Sequence, residues 1–138
     1  MLRISLLSAL LFSACAAPRQ YISTTDANLP FSNGVLVGDT FYVSGHLGLD
    51  KDTQQAPADP AVEAELLLDA FSATLAKAGM GMDNLVQVQV FCTDVELYKT
   101  FNSAYRKRFN GTFPSRAFVG AATLLRGCRF EMLGIALR

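Results

Sequence analysis

Two charged side chains near the C-terminus of this chain could together carry chemistry. Arg116 follows the proline turn at 113–115 and starts a strand-like run, and Glu131 lies inside the apolar run 130–137. Either charge is costly to bury without a partner, so the pair indicates a site. We predict that they stand on adjacent C-terminal strands, where Arg116 binds an anionic ligand and Glu131 is a base beside it.

Each residue also has a purely structural interpretation. Arg116 could be an ordinary surface arginine in an ion pair. Glu131 could be a carboxylate that is neutralised by Arg129 or Arg126. The two interpretations differ in whether the charged atoms find partners within the protein.

The composition indicates one globular domain without an electrostatic preference for nucleic acid. The chain has 138 residues, 51% of them hydrophobic, which suffices for a single core. Its 12 basic and 12 acidic residues balance, so we expect no nucleic-acid partner. One histidine, His46, and three scattered cysteines cannot form a zinc site of the usual spacing, so we expect no metal.

Residues 1–17 have the layout of a secretory signal peptide, and we assign a single domain to 18–138. A basic start, an apolar run and small residues follow one another, in a segment too short to span a bilayer as a stable helix. Two processing routes fit: an A-x-A cleavage site at 14–16, or a bacterial lipobox in which Cys15 is lipidated. We predict an exported protein that is periplasmic or held at the bacterial cell envelope through Cys15 alone.

Export would place Cys92 and Cys128 in an oxidising compartment. Both are expected at strand ends, so they could form a disulfide. Two separate small apolar residues are the favoured interpretation. The sequence does not say whether their Cα atoms are close enough for a bond.

The hydrophobic pattern predicts an α+β domain. One short strand near 21–23 precedes the order strand, strand, helix, strand, helix, strand, strand. The first helix begins at Asp59-Pro60 and closes by Gly79, and the second runs from a Thr93 and Glu96 capping box to 110–111. We expect both helices on one face of a mostly antiparallel six-stranded sheet. The main strands are expected at 34–37, 40–45, 86–92, 116–122 and 128–137.

The face of the sheet away from the helices is also expected to be apolar. Successive residues of a strand point to opposite faces of the sheet, and here both members of several successive pairs are apolar, for example Phe41 and Tyr42, or Phe118 and Val119. Two helices cover only one face, so we infer that the second is buried against other subunits. The alternative is a sheet that exposes a few apolar residues to solvent.

A set of short motifs occurs in one order between residues 29 and 138. They are Leu29-Pro30-Phe31-Ser32, Val37-Gly38-Asp39-Thr40, Tyr42-Val43-Ser44-Gly45, Val90-Phe91-Cys92-Thr93-Asp94, Phe101-Asn102 with Tyr105, Phe113-Pro114-Ser115-Arg116, and Glu131 with Ile135-Ala136-Leu137-Arg138. None is specific alone. The ordered set, with the spacing from arginine to glutamate intact, resembles the RidA/YjgF family of reactive-intermediate deaminases.

The resemblance implies a chorismate-mutase-like (YjgF-like) fold that assembles as a compact homotrimer with clefts at the subunit interfaces. It also implies hydrolysis of enamine and imine forms of amino acids, such as 2-aminoacrylate, to 2-keto acids and ammonia. No metal or cofactor is implied. We therefore expect a 2-iminobutanoate/2-iminopropanoate deaminase-like hydrolase whose partner is a small 2-imino acid or carboxylate.

The resemblance assigns roles to individual residues. Arg116 matches the family's carboxylate-binding arginine, whose planar fork fits a carboxylate better than lysine does. Glu131 matches the acid that positions water. Ser44 and Gly45 match positions that line the cleft, with a plain strand end as the alternative. Asn102 matches another position near the cleft, with an ordinary helix-surface residue as the alternative.

Three substrate-binding positions depart from the family pattern. Phe31 stands where the family has a cleft tyrosine, so a hydroxyl is missing, and Phe118 replaces a small residue and is expected to narrow the cleft. His46 stands where glutamine is frequent; it could line the site or titrate as a base, with a structural role as the alternative. These departures and the predicted export also fit a rival function, a non-catalytic trimeric module of the cell envelope that binds small carboxylates.

Overall fold

The computed structural model describes residues 16–24, 26 and 28–138. Nearly all of the predicted signal segment, including Cys15, lies outside these residues, so processing and export stay predictions. Among the helices of the described residues, none is long and apolar enough to cross a membrane.

The described strands form one mixed sheet in the order β1-β2-β3-β6-β4-β5. Their bounds are β1 Arg19–Ser23, β2 Ser32–Val37, β3 Thr40–Leu47, β4 Leu85–Cys92, β5 Ser115–Gly120 and β6 Phe130–Leu137. All neighbouring pairs are antiparallel except β4 and β5, which run parallel. The predicted α+β class and the mostly antiparallel six-stranded sheet are confirmed.

The strands that carry Arg116 and Glu131 are not neighbours. β5 pairs only with β4, and β6 is inserted between β3 and β4. A helical crossover precedes β5 and returns it parallel to β4 at the edge of the sheet, as parallel pairing requires. The prediction that the two residues stand on adjacent strands is therefore wrong, because β4 separates them.

The first helix, α1, spans Pro60–Lys77 as its sequence signals predict. The side chain of Asp59 accepts a hydrogen bond of 2.8 Å from the backbone N–H of Ala61. This contact satisfies one free donor at the helix start, where the ring of Pro60 also fits. Gly79 follows the helix with a φ of +70°, a conformation that favours glycine at a helix end.

The second helix, α2, spans Tyr98–Arg106 and is shorter than predicted. The side chain of Asp94, not that of Thr93, accepts from the N–H of Glu96 at 3.0 Å and caps a 3₁₀ turn at Val95–Leu97. The N–H of Thr93 donates to the carbonyl of Arg129 at 3.0 Å, so Thr93 still belongs to the end of the sheet. The predicted capping box therefore does not form, and the helix ends before residue 110.

Both helices bury the same face of the sheet. The core joins Phe71 of α1 and Phe101 of α2 to strand residues that include Val90 and Met132. The opposite face is open in the single chain, and 51% of Tyr42 is exposed on it. This open face carries the apolar residues Tyr42, Val119, Leu133, Ile135 and Leu137.

Candidate functional site

Arg116 lies on the helix-facing side of the edge strand β5. Its Nη2 donates a hydrogen bond of 2.7 Å to Oδ1 of Asn102. Its guanidinium carbon lies 4.6 Å from the ring centre of Tyr105, and the rings of Tyr98 and Phe118 are within 6 Å, at 5.7 and 5.8 Å. The hydrogen bond and the cation–π contacts hold the guanidinium in one orientation. We call these five residues the arginine half-site.

A cleft of about 230 Å³ opens beside the guanidinium of Arg116. Its lining residues are Tyr98, Asn102, Tyr105, Arg106, Phe113, Pro114 and Arg116. Among the described residues, no carboxylate forms an ion pair with Arg116. The guanidinium thus remains available for an anionic ligand, and the contacts give no support to the alternative of a surface ion pair.

The two tyrosines of the arginine half-site differ in their acidity. Polar contact with the side chain of Asn102, followed by the charge of Arg116, lowers the pKa of the Tyr98 hydroxyl. Burial raises the pKa of Tyr105 to about 12, although the charge of Arg116 acts in the opposite direction. Tyr105 therefore stays a neutral phenol at physiological pH.

Phe118 does not line this cleft in the single chain. Its ring packs edge to face against Tyr98, with centroids 5.1 Å apart, and against Phe101, at 5.7 Å. It therefore supports Arg116 from the side of the core. The expected narrowing of the cleft by Phe118 is not seen in the single chain.

Glu131 faces the open side of the sheet. Its neighbours Phe130 and Met132 are fully buried on the helix side, so the alternation of a strand directs Glu131 to the other face. A Cβ placed on Gly45 would stand 2.0 Å from Oε1 of Glu131. Only glycine at position 45 leaves room for the carboxylate in this position.

Two more predicted site residues lie at the same end of the sheet as Glu131. The hydroxyl of Ser44 donates a hydrogen bond of 2.6 Å to the carbonyl of Ser32, so its one donor is committed to β2. Phe31 directly precedes Ser32 and is largely exposed. We call Phe31, Ser44, Gly45 and Glu131 the glutamate half-site.

The cations proposed as structural partners of Glu131 are engaged elsewhere. Arg129 pairs with Glu63 and also donates to the carbonyls of two loop residues, Pro57 and Ala58. Arg126 donates to the carbonyl of Gln54 at 3.1 Å. No ion pair among the described residues involves Glu131. Its carboxylate is thus available to a water or a ligand.

His46 lies on the helix-facing side of the sheet, away from Glu131. A bulge in β3 between Val43 and His46 turns the imidazole toward α1. Nδ1 stands 2.8 Å from the carbonyl oxygen of Ser44, and Nε2 stands 2.8 Å from the hydroxyl of Thr74. Since a carbonyl only accepts, Nδ1 carries the proton and Nε2 accepts from Thr74. These contacts correspond to the structural interpretation, and we leave His46 out of the proposed site.

We expect His46 to make the protein less stable in mild acid. Burial lowers its pKa in the folded protein, opposed by the hydrogen bond to Ser44. In the unfolded chain, His46 binds a proton below about pH 6.5, whereas in the folded protein it binds one only at a lower pH. The free energy of unfolding therefore falls as the pH drops through this window. Melting temperatures measured between about pH 7.5 and 5 should fall more steeply for the wild type than for His46→Gln. Equal slopes would contradict this role.

Cys92 and Cys128 are unpaired and buried. Cys92 donates to the carbonyl of Asp94 at 3.0 Å. Burial raises the pKa of the Cys128 thiol to about 11. The favoured interpretation of two separate residues is confirmed, and Cys128 is too weakly acidic to act as a thiolate nucleophile.

Sequence reasoning missed Glu63 of α1, which is fully buried. Its Oε1 accepts hydrogen bonds from the backbone N–H groups of Arg129 at 2.6 Å and Phe130 at 2.9 Å, and Oε2 pairs with the guanidinium of Arg129. Glu63 therefore fixes the start of β6, next to Glu131. A glutamate in the first turn of a helix is usually exposed, so no local signal distinguishes this one.

The two half-sites lie on opposite faces of one sheet. Arg116 is in register with the buried Val88 of β4, whereas Glu131 is in register with Phe91. The Cα atoms of Arg116 and Glu131 are roughly 14 Å apart, because three residues along β4 and two strand spacings lie between them. One chain therefore does not bring its own Arg116 and Glu131 to one small ligand.

Comparison with known proteins shows which family the chain resembles in sequence. Residues 22–138 match the family described as Endoribonuclease L-PSP. The Bos taurus protein named 2-iminobutanoate/2-iminopropanoate deaminase is 36% identical over 124 residues, which cover 87% of this chain and 90% of the bovine protein.

Solved structures share the fold at similar identity. The Escherichia coli YjgF gene product superposes with a TM-score of 0.79 at 32% identity, covering 86% of this chain and 98% of that chain. Escherichia coli TdcF with bound serine has a TM-score of 0.79 at 30% identity, again covering 86% and 98%. The chain thus belongs to the Endoribonuclease L-PSP family, also known as the RidA/YjgF family.

Proposed function

We propose that this protein hydrolyses 2-imino acids and their enamine tautomers, such as 2-aminoacrylate, to 2-keto acids and ammonia. The observation that carries the proposal is Arg116, an oriented guanidinium that faces a small cleft and has no protein carboxylate as a partner among the described residues. A planar guanidinium fork suits the carboxylate of such a substrate. The deaminase name of the bovine relative and the serine bound to TdcF support a ligand of this class.

The active site would be formed between copies of the chain. Arg116 and Glu131 occupy opposite faces, so both reach one substrate only if Glu131 comes from a second copy. Two different surfaces that meet in this way form a heterologous interface, which closes into a ring in a cyclic oligomer such as a homotrimer. The apolar open face, where Tyr42, Val119 and Leu137 are exposed, would be covered in that assembly.

In the proposed mechanism, the substrate is held at one end and attacked at the other. Arg116 binds the carboxylate of the 2-imino acid, with its guanidinium oriented by Asn102. Glu131 of a second copy accepts a proton from a water molecule, whose oxygen attacks the imine carbon. Glu131 passes this proton to the imine nitrogen, which gives a carbinolamine that carries an amine and a hydroxyl on one carbon. Glu131 then transfers the hydroxyl proton to the amine, so that the C–N bond breaks as the C=O bond forms and ammonia and the 2-keto acid are released.

The direct test is the rate of imine hydrolysis by the purified protein. An amino-acid oxidase would generate imines in place from a panel of amino acids, and loss of the imine would be followed with and without the protein. We expect acceleration for at least one imine, and the panel would reveal the side-chain preference. A folded protein that accelerates none of them but is stabilised by small carboxylates would instead be the non-catalytic binding module.

A further inference from the structure

The hydroxyl of Tyr105 is buried without a hydrogen-bond partner. Only 3% of the residue is exposed, and its oxygen finds no donor or acceptor among the described residues. Among the residues that the structure describes, it is the one buried side-chain oxygen or nitrogen that lacks a hydrogen-bond partner. A buried polar group in this state is costly, so it requires an explanation such as a ligand.

The ring of Tyr105 is held firmly by aromatic neighbours. It stacks on Phe101, with centroids 5.8 Å apart and planes 28° apart, and contacts Phe109 at 4.7 Å. The guanidinium of Arg116 covers the ring at 4.6 Å. These contacts fix the direction of the hydroxyl relative to Arg116, and both residues line the same cleft.

The chemistry of the hydroxyl suits a hydrogen-bond donor. Because its pKa is about 12, it keeps its proton at physiological pH. A carboxylate accepts about four hydrogen bonds, more than one guanidinium edge supplies. One N–H of Arg116 is already used by Asn102, so a bound carboxylate has acceptor capacity left for a second donor.

We infer that the Tyr105 hydroxyl is a second ligand-binding group of the arginine half-site and donates a hydrogen bond to the carboxylate that Arg116 holds. The inference rests on the proposed function for the identity of the ligand, but it concerns binding and not turnover. Tyr105 and Arg116 then act as a paired recognition element for small 2-keto and 2-imino acids. A bound carboxylate satisfies the hydroxyl that the empty cleft leaves without a partner.

The test is Tyr105→Phe in the full-length protein, with pyruvate as the probe. Calorimetric titration should show about 10-fold weaker pyruvate binding than in the wild type. The melting temperature without ligand should stay the same or rise, since the hydroxyl makes no bond to the protein. Tyr21→Phe removes an exposed hydroxyl from β1 and is the matched control, for which both quantities should be unchanged.

The possible results separate this inference from the proposed function. Unchanged pyruvate affinity in Tyr105→Phe would overturn the inference. If the variant also had a lower melting temperature, the hydroxyl would be assigned to a structural hydrogen bond with water or with another copy. A wild type that binds no pyruvate would overturn it as well. A wild type that binds pyruvate through Tyr105 but hydrolyses no imine would support the inference and refute the deaminase.

Discussion

Replacing Arg116 by alanine should lower kcat/KM for imine hydrolysis by about 100- to 1000-fold, because it removes a charge-assisted contact to the substrate carboxylate in a partly buried site. The guanidinium is held by Asn102 and by the ring of Tyr105, so its orientation is set before substrate binds. Arg116→Lys should recover only part of the loss, because an ammonium group cannot donate two parallel hydrogen bonds.

Arg106→Ala is the matched control for this prediction. Arg106 lines the same cleft and carries the same charge, but its guanidinium lies over the ring of Phe113, at 5.8 Å, in an exposed position. We expect less than about a 5-fold change from this exposed charge. Steady-state kinetics with oxidase-generated imines would measure both variants, and circular dichroism would verify folding. Equal losses in the two variants would argue against a specific role for Arg116.

Replacing Glu63 by alanine should lower the free energy of unfolding by about 3–5 kcal/mol, the usual cost of removing one partner of a buried ion pair. The carboxylate satisfies the backbone N–H groups of Arg129 and Phe130 together with the guanidinium of Arg129. Without Glu63, the two backbone N–H groups lose this acceptor, and the guanidinium of Arg129 keeps only the carbonyls of Pro57 and Ala58. The effect should extend to the site, because Glu131 follows Phe130 directly.

The control for Glu63 is Glu65→Ala on the same helix. Glu65 is partly exposed and forms surface ion pairs with Lys107 and Arg108. Such pairs contribute about 0–1 kcal/mol. Urea unfolding at one fixed protein concentration would give both values, since stability in an oligomer depends on concentration. A loss in Glu63→Ala no larger than that in Glu65→Ala would contradict the structural role.

Local signals predicted the local structure. Asp59 and Pro60 mark the start of α1, and the alternation of Val88 and Val90 with glutamines marks β4, because caps and strand periods depend on nearby residues. The sequence predicts the cap at Thr93, one residue before Asp94, which caps the 3₁₀ turn that leads into α2. The backbone of Thr93 is held by Arg129, a contact distant in sequence.

Long-range pairing and side-chain direction could not be predicted in the same way. Nothing near Arg116 or Glu131 indicates that β4 separates their strands, since strand order depends on how distant segments pack. The bulge in β3 that turns His46 toward α1 lies in the pairing of β3 with β6, a strand distant in sequence, and Glu131 of β6 occupies the space beside Gly45. The sequence therefore indicated the residue types of the site, and the structure distributed them over two half-sites.

The most direct test of a site shared between copies is to mix two inactive variants. Arg116→Ala retains Glu131, and Glu131→Gln retains Arg116, so mixed oligomers contain interfaces with one intact half-site from each. In a cyclic trimer, every oligomer that contains both variants has one such interface among its three, so about one third of the sites are intact. The two variants would be co-expressed with different tags, mixed oligomers would be purified through both, and imine hydrolysis would be measured.

We predict that mixed oligomers recover about one third of the wild-type activity if the oligomer is a trimer, while each variant alone stays nearly inactive. Oligomers in which one chain carries both substitutions and the other carries Arg116→Ala provide the negative control and should stay inactive. Mixed oligomers of the two single variants that remain as inactive as the variants alone would contradict a site built from Arg116 of one copy and Glu131 of another.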